Sequence, residues 1–156
     1  MSFPLQRDGQ RIEGEEEGEG PAVVGLHGLT ATRRYVLMGS RALERSGRRV
    51  VLYDARGHGA SSPAPGGDYS FEAQAADLAA VIASLDAGPV VLIGASMGAH
   101  CAIALTLAQP QLVAGLAVVT PAFDPECPRG DLGHWDALAR SAPAPAIPSA
   151  RSGASQ

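Results

Sequence analysis

A five-residue motif at positions 94–98, Gly-Ala-Ser-Met-Gly, places a serine in a pattern typical of a nucleophile. In the pattern G-x-S-x-G the serine occupies a strained turn between a strand and a helix, and its hydroxyl projects from the top of a sheet. Such a hydroxyl is weak at neutral pH and needs a base that takes its proton as it attacks an acyl carbon. Because so short a pattern also occurs by chance, its meaning depends on the elements around it.

The residues before the motif are typical of a strand, and those after it are typical of a helix. Residues 89–93 contain an aliphatic run without polar alternation, which is typical of a strand buried on both faces of a parallel sheet. Residues 97–109 are rich in Ala, Leu and Ile and stop at Pro110, which predicts a helix. The sequence therefore predicts a strand, a tight turn at Ser96 and a helix.

Apolar runs and amphipathic segments alternate along the chain up to residue 120. We predict a hairpin with an Asp-Gly turn at residues 3–12, then an acidic, glycine-rich loop at 13–20. The alternation predicts an α/β protein with a doubly wound, mostly parallel sheet flanked by helices. Further strands are predicted at residues 21–26, 49–53 and 113–120, and further helices at 32–46 and between Ser70, as N-cap, and Gly88.

Three signatures follow three successive predicted strands. They are His-Gly at 27–28, Asp-x-Arg-Gly-His-Gly-x-Ser at 54–61, and Gly-x-Ser-x-Gly at 94–98. With these motifs in this order, the chain closely resembles the α/β-hydrolase fold family, in its esterase, carbon–carbon hydrolase and haloperoxidase-like branch. The likeness covers roughly residues 3–123 and implies the N-terminal part of that fold, without its last strands.

The resemblance assigns roles around the turn. Ser96 would be the catalytic nucleophile, and the backbone N–H groups of Leu29 and Met97 would form the oxyanion hole. Simple loop packing is the alternative reading of Leu29. No cofactor and no metal are expected in this arrangement.

The family also requires an acid and a histidine later in the chain than the nucleophile. Asp124 is the candidate acid, with a solvated turn aspartate as the alternative. His134 lies downstream, but nothing near it in the sequence would hold it as a base. His100 is four residues beyond Ser96 on the same predicted helix, which leads away from the hydroxyl. The catalytic histidine is therefore not evident in this chain.

Other residues of these signatures have structural readings. We expect His27 to fix the backbone of its loop, His58 to support its glycine-rich turn, and Asp54 to accept hydrogen bonds from backbone amides. The two cysteines, Cys101 and Cys127, show no C-x-x-C or histidine spacing, so we expect idle or buried thiols rather than a metal site or disulfide.

The chain changes character after the last predicted strand. We assign residues 1–124 to a partial α/β-hydrolase core and residues 125–156 to a loop and a disordered tail rich in Pro, Ala and Ser. The family would supply a cap, two further strands and the loop of the base in this region. Without them, the strand at 113–120 would be an unpaired apolar edge, suited to a homodimer or to a complementing chain.

Composition excludes several classes of partner. The net charge is −4, and the basic residues are scattered arginines without any lysine, so we expect no nucleic acid. No apolar run approaches the length of a membrane span, and the first nine residues lack the pattern of a signal peptide. We therefore expect a cytoplasmic protein that acts on a small molecule.

Two functions from different classes remain open. The first is a serine hydrolase of small esters or related acyl substrates, for which cofactor-free haloperoxidase or acyltransferase chemistry at the same serine is a variant. The second is a truncated, catalytically inactive hydrolase-like module that pairs with a partner through its strand edge.

Overall fold

The computed structural model describes residues 1–120, which fold into one six-stranded sheet flanked by helices. The strand order is β1-β2-β4-β3-β5-β6, with β1, β2 and β4 paired antiparallel and β4, β3, β5 and β6 paired parallel. This architecture confirms the predicted α/β fold with a mostly parallel sheet. The strands are β1 (Ser2–Arg7), β2 (Gln10–Glu17), β3 (Ala22–Leu26), β4 (Arg49–Tyr53), β5 (Val90–Ala95) and β6 (Val113–Val119); the helices are α1 (Ala42–Arg45), α2 (Phe71–Ser84) and α3 (Met97–Ala108).

The N-terminal hairpin turns at the predicted Asp-Gly pair. Asp8 and Gly9 have φ angles of 48° and 79°, as a two-residue type I′ turn requires. The prediction of a loop at 13–20 is wrong for residues 13–17, because β2 continues to Glu17 and pairs with β4. Ion pairs hold this acidic strand in the sheet, including one of 2.7 Å between Glu16 and Arg49.

The prediction of a single helix at 32–46 is also wrong. The segment contains a 3₁₀ turn at Arg33–Tyr35 and only four α-helical residues, Ala42–Arg45. Between them, Met38 and Gly39 adopt positive φ angles of 49° and 78°, which a continuous right-handed helix cannot contain. A left-handed turn therefore interrupts the apolar spacing on which the prediction depended.

Helical segments cover both faces of the sheet. On one face, Leu78 of α2 and Leu105 of α3 belong to the same buried cluster as Val51 and Leu92 of the sheet. On the other face, a Cβ atom built on Gly25 would lie 2.8 Å from Cγ1 of Val36, so the segment after β3 packs closely against that strand. The sheet is therefore doubly wound, as predicted.

The helix α2 begins where its predicted cap stands. The hydroxyl of Ser70 accepts a hydrogen bond from the backbone N–H of Ala73 at 3.2 Å, which satisfies one of the free donors of the first turn. Its buried residues pack toward the sheet and α3. In residues 1–120, no helix is both long and apolar enough to span a bilayer.

The strand β6 forms one edge of the sheet described by residues 1–120. It pairs in parallel with β5 and, within residues 1–120, has no strand on its other side. Leu116, Val118 and Val119 are 39%, 41% and 52% exposed, so apolar side chains reach the surface on both faces of this strand. The assigned boundary at 124 and the predicted disordered tail lie outside the described residues.

Candidate functional site

The site centres on the turn between β5 and α3. Ser96 has φ 49° and ψ −111°, a combination that L-residues rarely adopt and that is held only where the surrounding structure fixes it. Two hydrogen bonds provide this constraint: the Ser96 N–H donates to the carbonyl of Val119 at 3.0 Å, and the Ser96 carbonyl accepts from Ala99 at 2.9 Å. The structure thus places the serine in the predicted strand, turn and helix arrangement.

The two motif glycines allow the strands and the helix to approach closely. A Cβ atom built on Gly98 would lie 2.5 Å from the carbonyl oxygen of Leu26 in β3. One built on Gly94 would lie 2.5 Å from the carbonyl oxygen of Gly98. Both distances are too short for any side chain, so only glycine fits at either position without moving backbone.

The loop at residues 27–29 lies against the turn. A Cβ atom built on Gly28 would be 3.5 Å from Ser96 Cβ, so the backbone of this loop faces the serine directly. Neither the Leu29 N–H nor the Met97 N–H has an acceptor among residues 1–120. The Leu29 side chain is 65% exposed, which disfavours the alternative reading of Leu29 as a packing residue.

A buried histidine orients the peptide that carries the Leu29 N–H. His27 Nδ1 lies 2.8 Å from the Gly28 carbonyl oxygen, and its Nε2 accepts a hydrogen bond of 2.9 Å from the N–H of Ala55. Nε2 is therefore unprotonated and Nδ1 carries the hydrogen, which makes the ring neutral. Burial, the largest cause, lowers the pKa of His27 and favours this neutral form. As predicted, His27 fixes backbone.

The carboxylate of Asp54 holds the loop after β4 in place. It accepts backbone hydrogen bonds from Arg33 at 2.8 Å and from Ala60 at 2.9 Å, and it also forms an ion pair with the Arg33 guanidinium. The side chain is 1% exposed, and its oxygens are occupied by these partners. The predicted role as an acceptor for backbone amides is therefore confirmed.

The other two described histidines contact backbone carbonyl groups or an aromatic ring. His58 lies between two backbone carbonyl oxygens, those of Arg56 and Leu29, at 2.9 and 2.8 Å. The ring of His100, on α3, stacks at 5.3 Å on that of Phe71. The candidate acid Asp124 and the downstream His134 lie outside the described residues, so the assignment of an acid and a base stays a prediction.

A second buried ion pair is not predictable from the sequence. Arg56 Nε donates to Asp77 of α2 at 2.8 Å, and its other nitrogens bond the carbonyl oxygens of Asp68 and Ala73. The pair is almost fully buried and joins the 54–61 signature to α2. The arginine of that signature was visible in the sequence, but its partner 21 residues away carried no local signal.

Cys101 offers no competing nucleophile. The thiol is 2% exposed, and burial raises its pKa to about 12, so it stays protonated at neutral pH. The prediction of a buried, idle thiol is confirmed for this residue. Cys127 lies outside the described residues.

A cavity of about 350 Å³ opens on the opposite face of the sheet from α2 and α3. Leu37, Arg34 and Glu44 line it together with Val50 and Leu52 of β4. None of these residues belongs to the turn at Ser96 or to the loop at 27–29. The cavity is therefore separate from the candidate site.

Comparison with known proteins finds relatives that share one fold family. The sequence profile of the alpha/beta hydrolase fold family matches residues 21–143. The sn-1-specific diacylglycerol lipase ABHD11 of Mus musculus is 41% identical over 100 residues, covering 64% of this chain and 32% of the relative.

Solved structures show the same likeness. The esterase EaEST from Exiguobacterium antarcticum is 32% identical with a TM-score of 0.70, covering 76% of this chain and 44% of the other. An epoxide hydrolase from an endophytic Streptomyces is 27% identical with a TM-score of 0.74, covering 91% of this chain and 42% of the other.

The fold and the turn at Ser96 define an α/β protein of the hydrolase type. The chain belongs to the α/β-hydrolase fold family, as the resemblance predicted. It spans about a third of the length of the curated relatives it matches.

Proposed function

We propose that this chain provides the nucleophile and the oxyanion hole of a serine hydrolase that acts on small esters or related acyl substrates. The observation that carries the proposal is the strained turn at Ser96, faced by a loop whose Leu29 N–H, like that of Met97, has no acceptor among the described residues. Ser96 Oγ would attack the acyl carbon, and the two N–H groups would bind the developing oxyanion.

For Ser96 to attack, a base must accept the proton of its hydroxyl group. Within residues 1–120, His27 and His58 are hydrogen-bonded to backbone groups and His100 stacks on an aromatic ring, which leaves none of them poised beside the serine. A serine that lacks its base keeps an acceleration of only about 10³ to 10⁴ over water, from the oxyanion hole and binding. Full activity therefore requires a histidine beyond residue 120.

The nucleophile and the relatives support the proposed substrate class. A serine hydroxyl forms an ester with an acyl group, and two proteins similar to this chain are named a lipase and an esterase. Haloperoxidase or acyltransferase chemistry would use the same acyl-serine, and a non-heme chloroperoxidase from Kitasatospora aureofaciens is among the similar proteins. Ester hydrolysis is the simplest of these reactions because water is the only second substrate. The chain is proposed to act in the cytoplasm on a small molecule, without nucleic acid.

Labelling with a fluorophosphonate probe tests the proposal. We expect stoichiometric labelling of the folded chain, no labelling of Ser96→Ala, and unchanged labelling of Ser46→Ala, an exposed serine at the end of α1. Circular dichroism of each variant verifies folding. A well-folded wild-type chain that takes up no probe would contradict the assignment of Ser96.

A second candidate function has its own supporting observation. The outer edge of β6 pairs with no described strand, and its apolar side chains are exposed on both faces. Such an edge without lysine or proline is prone to pair with another chain. We propose that an inactive module would use it to bind a second copy of itself, with the two β6 strands antiparallel across a twofold axis.

Sedimentation tests the dimer. The wild-type chain should sediment as a dimer and Val118→Lys, which puts a charge on the exposed edge, as a monomer. Tyr35→Lys is the matched control, because Tyr35 is exposed and lies outside β6, and this variant should remain dimeric. A monodisperse wild-type monomer would exclude this candidate.

A further inference from the structure

The ring of His58 bridges two segments that both contribute to the site. Nδ1 lies 2.9 Å from the carbonyl oxygen of Arg56 in its own turn, and Nε2 lies 2.8 Å from the carbonyl oxygen of Leu29. These segments are 29 residues apart in sequence. His58 thus joins the loop after β4 to the loop that faces Ser96.

Both partners of His58 can only accept. A carbonyl oxygen has no hydrogen to donate, so each of the two bonds needs an N–H on the ring. A neutral imidazole has one N–H, whereas the imidazolium has two. The observed geometry is therefore fully satisfied only when His58 carries a positive charge.

The contact fixes the residue whose N–H is the proposed oxyanion donor. His27 holds one side of that residue, through the Gly28 carbonyl of the peptide that contains the Leu29 N–H. His58 holds the other side, through the Leu29 carbonyl. Because the N–H and C=O of one trans peptide point in opposite directions, the His27 bond sets the direction of the Leu29 N–H. The His58 bond fixes the following peptide, so Leu29 is held on both sides of its Cα atom.

The charges around His58 are paired within the described residues. The nearest ring, that of His27 at 5.0 Å between centroids, is neutral because its Nε2 accepts a hydrogen bond. The carboxylate of Asp54, in the same loop, forms an ion pair with Arg33, and the guanidinium of Arg56 pairs with Asp77 of α2. No unpaired charge in this group opposes a proton on His58.

We propose that His58 is a positioning residue that acts as a doubly donating imidazolium and orients the Leu29 N–H toward the oxyanion. This inference rests on the proposed function of Ser96 and adds a pH dependence to it. Loss of the ring proton removes one of the two bonds and loosens the link between the two loops. The oxyanion hole is therefore complete only while His58 is protonated.

Nuclear magnetic resonance of the full chain tests the bonds without reference to activity. In the wild type we expect two slowly exchanging ring N–H protons on His58 at low pH. The carbonyl ¹³C resonance of Leu29 should shift along the same pH curve as the His58 ring. In His58→Gln that shift should disappear, whereas His100→Gln, which alters a histidine outside these bonds, should retain it.

The rate of fluorophosphonate labelling supplies the functional readout. The wild-type rate should fall about tenfold as His58 loses its proton, which is less than the 10² to 10³ that loss of a whole oxyanion donor costs. His58→Gln should be slow at every pH and lack this step, and His100→Gln should match the wild type.

Each outcome decides either the positioning role of His58 or the assignment of Ser96 as the nucleophile. A single protected N–H on His58 throughout the folded pH range, or a Leu29 resonance that ignores the His58 titration, would overturn the positioning role. A His58→Gln variant that labels at the wild-type rate would do the same. If no variant labels, the assignment of Ser96 fails, and the resonance data alone decide the role of His58.

Discussion

The central strands of the sheet and its outermost described strand have similar sequences but different environments. Every residue of β3 is buried, whereas β6 is an equally apolar run in which no residue is. Leu92 of β5 and Leu116 of β6 are register partners on adjacent strands, yet they are 0% and 39% exposed. Neighbouring positions of one sheet thus differ in how firmly packing constrains them.

The difference explains where the candidate site lies. The turn at Ser96 and the loop at 27–29 follow β5 and β3, two central strands that each have a neighbour on both sides. The backbone there is closely packed, as at Gly98, where a Cβ atom would lie 2.5 Å from the Leu26 carbonyl oxygen. A hole made of backbone N–H groups needs such rigidity, because it works only if its donors are already in place.

The largest expected effect compares the two register partners. Leu92→Ala should lower the free energy of unfolding by about 2–5 kcal/mol, because it leaves a cavity in the closed core. Leu116→Ala should cost less than about 1 kcal/mol, because part of its side chain is already in solvent. Chemical denaturation measures both. Equal losses would show that β6 is covered as fully as β5.

The next effect tests the close contact behind the turn. Gly98→Ala should destabilise the chain by about 1–3 kcal/mol although alanine favours helices, because its Cβ would meet the Leu26 carbonyl at 2.5 Å. Gly88→Ala is the matched control, since a Cβ there meets nothing within 4 Å, and should change stability by at most about 0.5 kcal/mol. A stabilised Gly98→Ala variant would refute the packing.

The smallest effect concerns pH and the buried histidine after β3. Because the folded pKa of His27 lies below its ordinary value of 6.5, the unfolded chain takes up a proton first as the pH falls. The contribution of neutral His27 to stability is therefore complete above pH 6.5 and is lost as the pH drops toward the folded pKa. Denaturation across this range should show a shallower decline in His27→Gln than in the wild type.

The control for this pH dependence is His100→Gln. His100 is only partly buried and stacks on Phe71, so its removal should leave the decline below pH 6.5 unchanged. A decline that is identical in the wild type and in His27→Gln would mean that His27 titrates normally in the folded chain.

The sequence predicted those parts of the fold in which local residues determine the structure. The apolar runs form the parallel strands, the Asp8-Gly9 pair forms a turn with two positive φ angles, and Ser70 is the N-cap of α2. The prediction failed where contacts distant in sequence decide. The acidic residues after Ile12 form a strand that pairs with β4, and Arg49 of β4 forms an ion pair with Glu16, 33 residues away.

In the candidate site, too, features set by local motifs were predictable and features set by distant contacts were not. The turn at Ser96 and the backbone roles of His27 and Asp54 could be predicted, because each belongs to a short motif with a fixed position after a strand. The burial of Arg56 against Asp77 could not, because it depends on how α2 packs on the sheet. The two carbonyl partners of His58 also come together only through folding.

A crystal structure of the chain labelled with a phosphonate tests the central claim most directly. We expect phosphorus on Ser96 Oγ and one phosphonyl oxygen at about 2.7–3.1 Å from both the Leu29 and the Met97 nitrogen atoms, as an oxyanion hole requires. A phosphonyl oxygen that points to solvent and contacts neither nitrogen would contradict the account.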